Sequence, residues 1–255
     1  MINKVFTSIN YMTLDYFFSD PNDVPEDALW HAYGWQHFLW LIAMGLIMFF
    51  SCRAFRKLDS EKQSKVLKRF AIFILIQEIV KDLLFWYSGT FGLEHLPLHF
   101  CGISIFFSLW YAFRPNDLNA AYVYGMSMPG AFCALIFPNW TNFPLIHFSS
   151  INSFTIHGEL ILFALLALTS GRLVPNIKKI PQMFGVIVAM AIPIYFLNKL
   201  WGTNFMFISD PSPGSPLMPL YDLFGDGYVI AAAVLVIIVW LLLFLPWRKR
   251  TPKAS

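Results

Sequence analysis

Apolar residues in this chain come in long continuous runs, broken by short polar stretches. There is no sustained period-two alternation of the kind a membrane strand would show. The runs are long enough to cross a hydrocarbon core as helices. They predict an all-α integral membrane protein, a bundle of seven transmembrane helices. The spans are read at 34–52, 70–91, 97–113, 120–137, 154–169, 183–200 and 228–246. Residues 1–33 form an arm rich in acidic and aromatic side chains, 34–247 the helical domain, and 248–255 a basic tail.

The polar breaks set the orientation. Fifteen of the 18 Lys and Arg residues lie in alternate connections, at 53–69, 114, 172–179 and the C-terminal end. The positive-inside rule puts those on the cytoplasmic side, so the C-terminus is expected inside. An odd number of spans then puts the acidic arm (Asp15, Asp20, Asp23, Glu26, Asp27) outside, which fits its charge. Trp30, Tyr33 and Trp35 suit the membrane interface, as do His31 and His37. No cleavable leader is read in the opening stretch.

Composition agrees with a bilayer as solvent. The chain is 57% hydrophobic and only 13% charged, about half the charged share of a soluble domain. Mean hydropathy is +0.58. The net charge of +3 is explained by topology and gives no reason to expect nucleic acid. Three cysteines make no disulfide framework.

Two outer connections stand out. Residues 138–152 are polar and aromatic, and residues 201–227 carry Pro211, Pro213, Pro216 and Pro219. The prolines favour a stiff cap, a lid over an outward-facing cavity.

Ionisable groups within a span are costly and need a partner or a purpose. The second span carries Gln77, Glu78, Lys81 and Asp82, which share a helix face at three- and four-residue spacings. They read as a packing ion-pair network, as the polar floor of a substrate cavity, or as an ion relay. Around the third span's entry lies Leu96-Pro97-Leu98-His99-Phe100-Cys101. Pro97 fits the first helical position there. Cys101 and His157 are each read as about four residues into their helices, so roughly 6 Å from the same surface. His99 is two positions from Cys101 and would point elsewhere on a regular helix. His157 is therefore the better base. Glu159 would point away from His157, and Ser104 and Ser108 continue the Cys101 face. Cys101 can equally be a small buried hydrophobe, or pair with Cys133 as a disulfide. His95, His99 and Cys101 make a poor metal set, with no carboxylate-rich or CxxC context, and no cofactor is expected.

The run Leu96–Cys101, His157, and Trp201-Gly202-Thr203-Asn204-Phe205-Met206 resemble the YwaF-type bacterial integral membrane proteins. These are similar to the eukaryotic transmembrane protein 164 family. The resemblance covers about Gly34 to the seventh span. It implies a multi-pass protein of the bacterial plasma membrane whose partners are membrane lipids. It also implies acyl transfer between phospholipids, with a cysteine as acyl carrier matching Cys101 and a histidine matching His157. Related multispan hydrolases make ester hydrolysis a cousin reaction.

On that basis Cys101 is the expected nucleophile and His157 the base. Asn204 and His99 are the oxyanion donors. Lys81 and Lys199 would hold a phosphate or carboxylate, with Glu78 and Ser104 lining the cavity. Phe106, Phe107 and Trp110 would meet acyl chains. The rivals are a transporter or lipid-binding protein without a covalent step, and a structural membrane protein. Pro129 and Pro193 could kink helices in a transporter, but no pseudo-symmetric halves are visible in the sequence.

Overall fold

A computed structural model describes residues 16–19 and 23–248 of the chain. Asp15 and Asp20 of the arm, and Lys249, Arg250 and Lys253 of the tail, lie outside the described residues. Three quarters of the fold is helix, and no strand occurs among the described residues, only an isolated bridge between Leu29 and Pro144. Helices satisfy their own backbone donors and acceptors, which a hydrocarbon solvent requires.

In chain order the helices are α1 (Trp35–Phe55), α2 (Ser60–Tyr87), α3 (Phe100–Phe113) and α4 (Asp117–Tyr122). A π-helical turn, Val123–Ser127, runs on from α4 into α5 (Met128–Ile136). Then come α6 (Phe148–Thr169), α7 (Ile180–Trp201), α8 (Leu217–Phe224) and α9 (Tyr228–Phe244). Among the described residues five stretches are long and apolar enough to cross a membrane: Trp35–Phe55, Leu93–Phe113, Phe148–Thr169, Ile177–Trp201 and Leu217–Trp247. Helix α2 is longer still, 28 residues, and carries charge; the α4–π–α5 rod is broken in its regularity.

Helices α2 and α6 start well before their apolar runs, at Ser60 and Phe148. Helix α2 begins ten residues before Phe70, because Asp59 caps it by accepting a hydrogen bond from Lys62 N–H (2.8 Å). Exposed pairs Asp59–Lys62 and Glu61–Lys65 then carry the polar first turns. Helix α6 begins at Phe148 because the His147 ring caps it, its Nδ1 accepting from Ser149 N–H (3.0 Å).

Helix α6 is the axis of the bundle and packs on α5, α1, α2 and α3. Its Phe154, Leu160, Phe163 and Ala167 are fully buried. The outer helices α1, α7 and α9 bury little of their surface and turn large apolar side chains outward. That pattern suits lipid contact. The π turn is wholly buried, and it frees backbone groups. Trp240 of α9 takes one of them, its Nε1–H donating to Gly125 O at 2.6 Å.

Two expected interface residues lie inside instead. Trp30 and His37 are buried. His37 receives Tyr33 N–H on Nδ1 (3.1 Å) and donates Nε2–H to Leu135 O (2.7 Å), tying α1 to α5. The three cysteines are free, so the Cys101–Cys133 disulfide does not form.

Candidate functional site

The entry to α3 differs from a helix started by proline. His99 is the N-cap and Phe100 the first helical residue, so Pro97 lies before the helix. Gly102 explains the approach. A Cβ there would stand 2.7 Å from Pro97 Cα, so only glycine lets the Leu96–His99 segment fold back onto the first turn. Cys101 thus sits in that first turn, where backbone N–H groups have no intrahelical acceptor.

His99 is fixed from the other side of the chain. Its Nδ1 accepts Met206 N–H at 3.3 Å, and its ring packs against Phe205 (5.3 Å) and Phe207 (5.1 Å). Those residues belong to the turn after α7. Gly202 ends α7 at φ 67°, and both Met206 (φ 59°) and Phe207 (φ 52°) are left-handed without being glycine. Such backbone persists only where the surroundings over-determine it. Asn198 does so here. It is buried, donates to Phe205 O (3.0 Å), and accepts from Phe205 N–H (2.9 Å) and the Thr203 hydroxyl (2.9 Å). Tyr228 OH closes the turn on Phe207 O (2.5 Å).

Asn204 is spent within the same turn. Its amide donates to Asp210 O (2.8 Å) and accepts Ser209 and Asp210 N–H (3.2 Å each).

His157 lies ten residues into α6 rather than four, because α6 starts earlier than its apolar run. Cys101 is the second residue of α3, so the two side chains do not lie at equal depth from their helix starts. The imidazole stacks flat on Trp140 (5.3 Å, 6°), and Nδ1 is 2.7 Å from Ser153 O. A carbonyl only accepts, so Nδ1 carries the hydrogen and Nε2 keeps its lone pair. At His99 the logic reverses: Nδ1 accepts, so Nε2 carries the hydrogen. The two imidazoles are close enough to interact electrostatically, and His99 also feels Lys81. Cys101 is in electrostatic range of Glu78 and Lys81.

On α2, Lys81 Nζ lies 2.6 Å from Glu78 Oε1 and 3.2 Å from Asp82 Oδ1. Its charge is already matched by two carboxylates. Gln77 reaches α6. Its amide donates to Asn152 Oδ1 at 3.3 Å, and turned over it donates to both Glu159 oxygens at 3.1 and 3.2 Å, which satisfies its oxygen and nitrogen together. Glu159 thus faces α2 while His157 faces Trp140.

Other expected residues lie elsewhere. Ser104 is buried and returns its hydroxyl to Phe100 O (2.6 Å). Lys199 is exposed over the Tyr195 ring (5.6 Å), not beside Lys81. Phe106 and Trp110 face outward, while Phe107 stacks on Tyr122 at 3.5 Å. Among the described residues no group of three His, Cys, Asp or Glu could hold a metal.

Sequence reasoning missed Asn198, Trp140 and Gly102. An amide inside an apolar run, four residues before a glycine, was the available signal for the first. Nothing local marked the other two, since their partners come from distant or non-helical segments.

Residues 32–244 match the TMEM164 family. No curated protein and no solved structure matches.

Proposed function

Because the chain belongs to the TMEM164 family, we propose that it is a membrane acyltransferase that moves an acyl group between phospholipids through Cys101. The observation that supports this reading is the opposite hydrogen-bonding state of two imidazoles, His157 and His99, that interact electrostatically. His157 offers a lone pair on Nε2, and His99 offers an N–H on Nε2. One is equipped as a base and the other as an oxyanion donor.

The steps balance as follows. His157 Nε2 takes the Cys101 proton. The thiolate attacks the ester carbonyl carbon of a donor lipid. The oxyanion is held by His99 Nε2–H and the first-turn N–H groups of α3. The C–O bond breaks, and the lyso-lipid alkoxide takes the proton from His157, leaving a thioester. An acceptor lipid hydroxyl then gives its proton to Nε2 and attacks the thioester. The C–S bond breaks and the thiol is restored. Asn204 builds the adjoining turn in this reading, and Lys81 stays bound in its ion pairs.

Seven helices cross the membrane in this reading: the five apolar stretches, α2, and the α4–π–α5 rod. The N-terminus is outside and the C-terminus cytoplasmic, in a bacterial plasma membrane. The 201–227 connection closes over His99 from the outer side.

The test uses protein in nanodiscs with an acyl-labelled phospholipid and an unlabelled lysophospholipid. Wild type should transfer label and carry a hydroxylamine-sensitive acyl adduct by intact mass. Cys101→Ala should lose both, and His157→Gln should lose both transfer and adduct formation. Transfer surviving in Cys101→Ala ends the covalent reading. Label released as free fatty acid would identify water as the acceptor and the protein as a hydrolase.

A non-covalent carrier is the second reading, favoured by the Glu78–Lys81–Asp82 cluster in α2. Lipid movement between leaflets by Cys101→Ala, without any adduct in wild type, would support it.

A further inference from the structure

The end of the bundle away from Cys101 holds a groove of about 520 Å³ between the C-terminal end of α1, the early turns of α2, and α6. That volume is in the range of small-molecule and cofactor sites. Its walls are apolar, with Phe55, Phe70, Phe73, Leu162 and Leu166, and the one charged side chain in the lining is Arg69. Phe73 is more than half exposed, so the groove opens sideways to the bundle's outer surface.

The charges around it are unevenly satisfied. Lys62 and Lys65 are ion-paired with Asp59 and Glu61. Arg53 lies over Phe49 and Lys68 over Phe113. Arg172 donates to Ser60 O at 2.7 Å. Among the described residues Arg69, like Arg53, Arg56, Lys57 and Lys68, has no carboxylate in ion-pair range, and of these it alone lines the groove. An apolar cleft with one unmatched cation at its rim matches a molecule with one anion and a long apolar tail. A transmembrane helix of another protein would fill the apolar walls and leave Arg69 unmatched.

We propose that this groove is a binding site for an anionic diacyl phospholipid of the leaflet facing the 53–69 loop. The phosphate sits on the Arg69 guanidinium, and one acyl chain runs past Phe70 and Phe73 toward Leu162. Basic pockets between helices at this level are suited to anionic headgroups. Arg69 is twelve residues from Lys81 along α2, roughly 18 Å, so this site is separate from the Cys101 chemistry and stands or falls without it.

Native mass spectrometry of the full-length protein in detergent tests it, with phosphatidylglycerol and phosphatidylcholine of identical chains as probes. Wild type should bind phosphatidylglycerol in preference. Arg69→Gln should weaken that binding about fivefold, the worth of one basic residue at a membrane surface. Lys65→Gln, on the same helix but ion-paired outside the groove, should leave it unchanged. Ser51→Trp, filling the groove, should remove both lipids alike, and Arg69→Gln decides alone if that variant does not fold. Water-soluble glycerol phosphate should not compete. Equal binding by wild type and Arg69→Gln, or equal losses in Arg69→Gln and Lys65→Gln, overturns the proposal. Competition by glycerol phosphate does so too.

Discussion

The two ends of α2 carry the same local device in opposite settings. Asp59 and Lys62 are three residues apart, as are Glu78 and Lys81, and both pairs are in contact. The first pair is 55% and 69% exposed, the second 12% and 14%. An exposed pair is screened and adds little, whereas a buried one leaves a stranded charge if either partner goes. Charge at the Asp59 end is exposed. Charge at the Cys101 end is turned inward, and polar groups around it are held by specific partners. What marks the candidate site is therefore inward-facing polarity held by an over-determined backbone, not the number of charges.

The strongest way to break this comparison is to remove one lysine from each end. Lys81→Met should strand Glu78 and Asp82 and cost about 3–5 kcal/mol. Lys62→Met should leave the melting temperature in detergent almost unmoved. Equal losses would mean that α2 does not bury its second half. Next is the turn that fixes His99. Asn198→Ala removes three hydrogen bonds and leaves buried backbone groups of Phe205 unmatched, about 1–3 kcal/mol for each group stranded. Limited proteolysis should then cut within 202–210, where wild type resists.

A pair of glycines sharpens the point with a smaller effect. Gly102→Ala should displace Pro97 and slow labelling of Cys101 by a lipophilic thiol reagent. Gly45→Ala in α1, where an added Cβ meets nothing within 4 Å, should instead stabilise by about 0.5–1 kcal/mol through helix propensity. Unchanged labelling in Gly102→Ala would mean that the tight turn does not position the thiol.

The smallest effect is in the caps. Burial holds His147 below its usual 6.5, although its bond to Ser19 O works the other way. A lowered histidine contributes stability above 6.5 and loses it as pH falls through its folded value. Asp59 is held below 3.8, chiefly by the backbone N–H of Lys62, and loses its contribution only as pH falls below 3.8. On acidification to about pH 5, hydrogen exchange should rise at the start of α6 and not at the start of α2. Simultaneous loosening at both would refute the assignment of the caps.

Much of this fold was legible, because long apolar runs have few ways to satisfy their backbone in lipid. The ends of helices were less so. A hydropathy reading stops where apolar residues stop, so it missed the polar first turns of α2 and the start of α6 at Phe148. That error misplaced His157 relative to Cys101. The candidate site was legible as residue types: Cys101, His99, His157 and the Gly202–Met206 turn were all singled out. Their division of labour was not. Asn204 reads as a donor in a motif, yet its amide is consumed by the turn it belongs to. Lys199 reads as a holder of a lipid phosphate or carboxylate, yet it is exposed over the Tyr195 ring.

The sequence alone determined a helical membrane protein, since that follows from transfer of apolar groups from water to lipid. Only the tertiary structure decided which imidazole nitrogen keeps a lone pair. That depends on whether a carbonyl of Ser153 or an amide of Met206 arrives at the ring, and those partners come from one turn back in α6 and from more than a hundred residues away. Hydrogen bonds are short and directional, so their pairing is written in the packing and not in the order of residues.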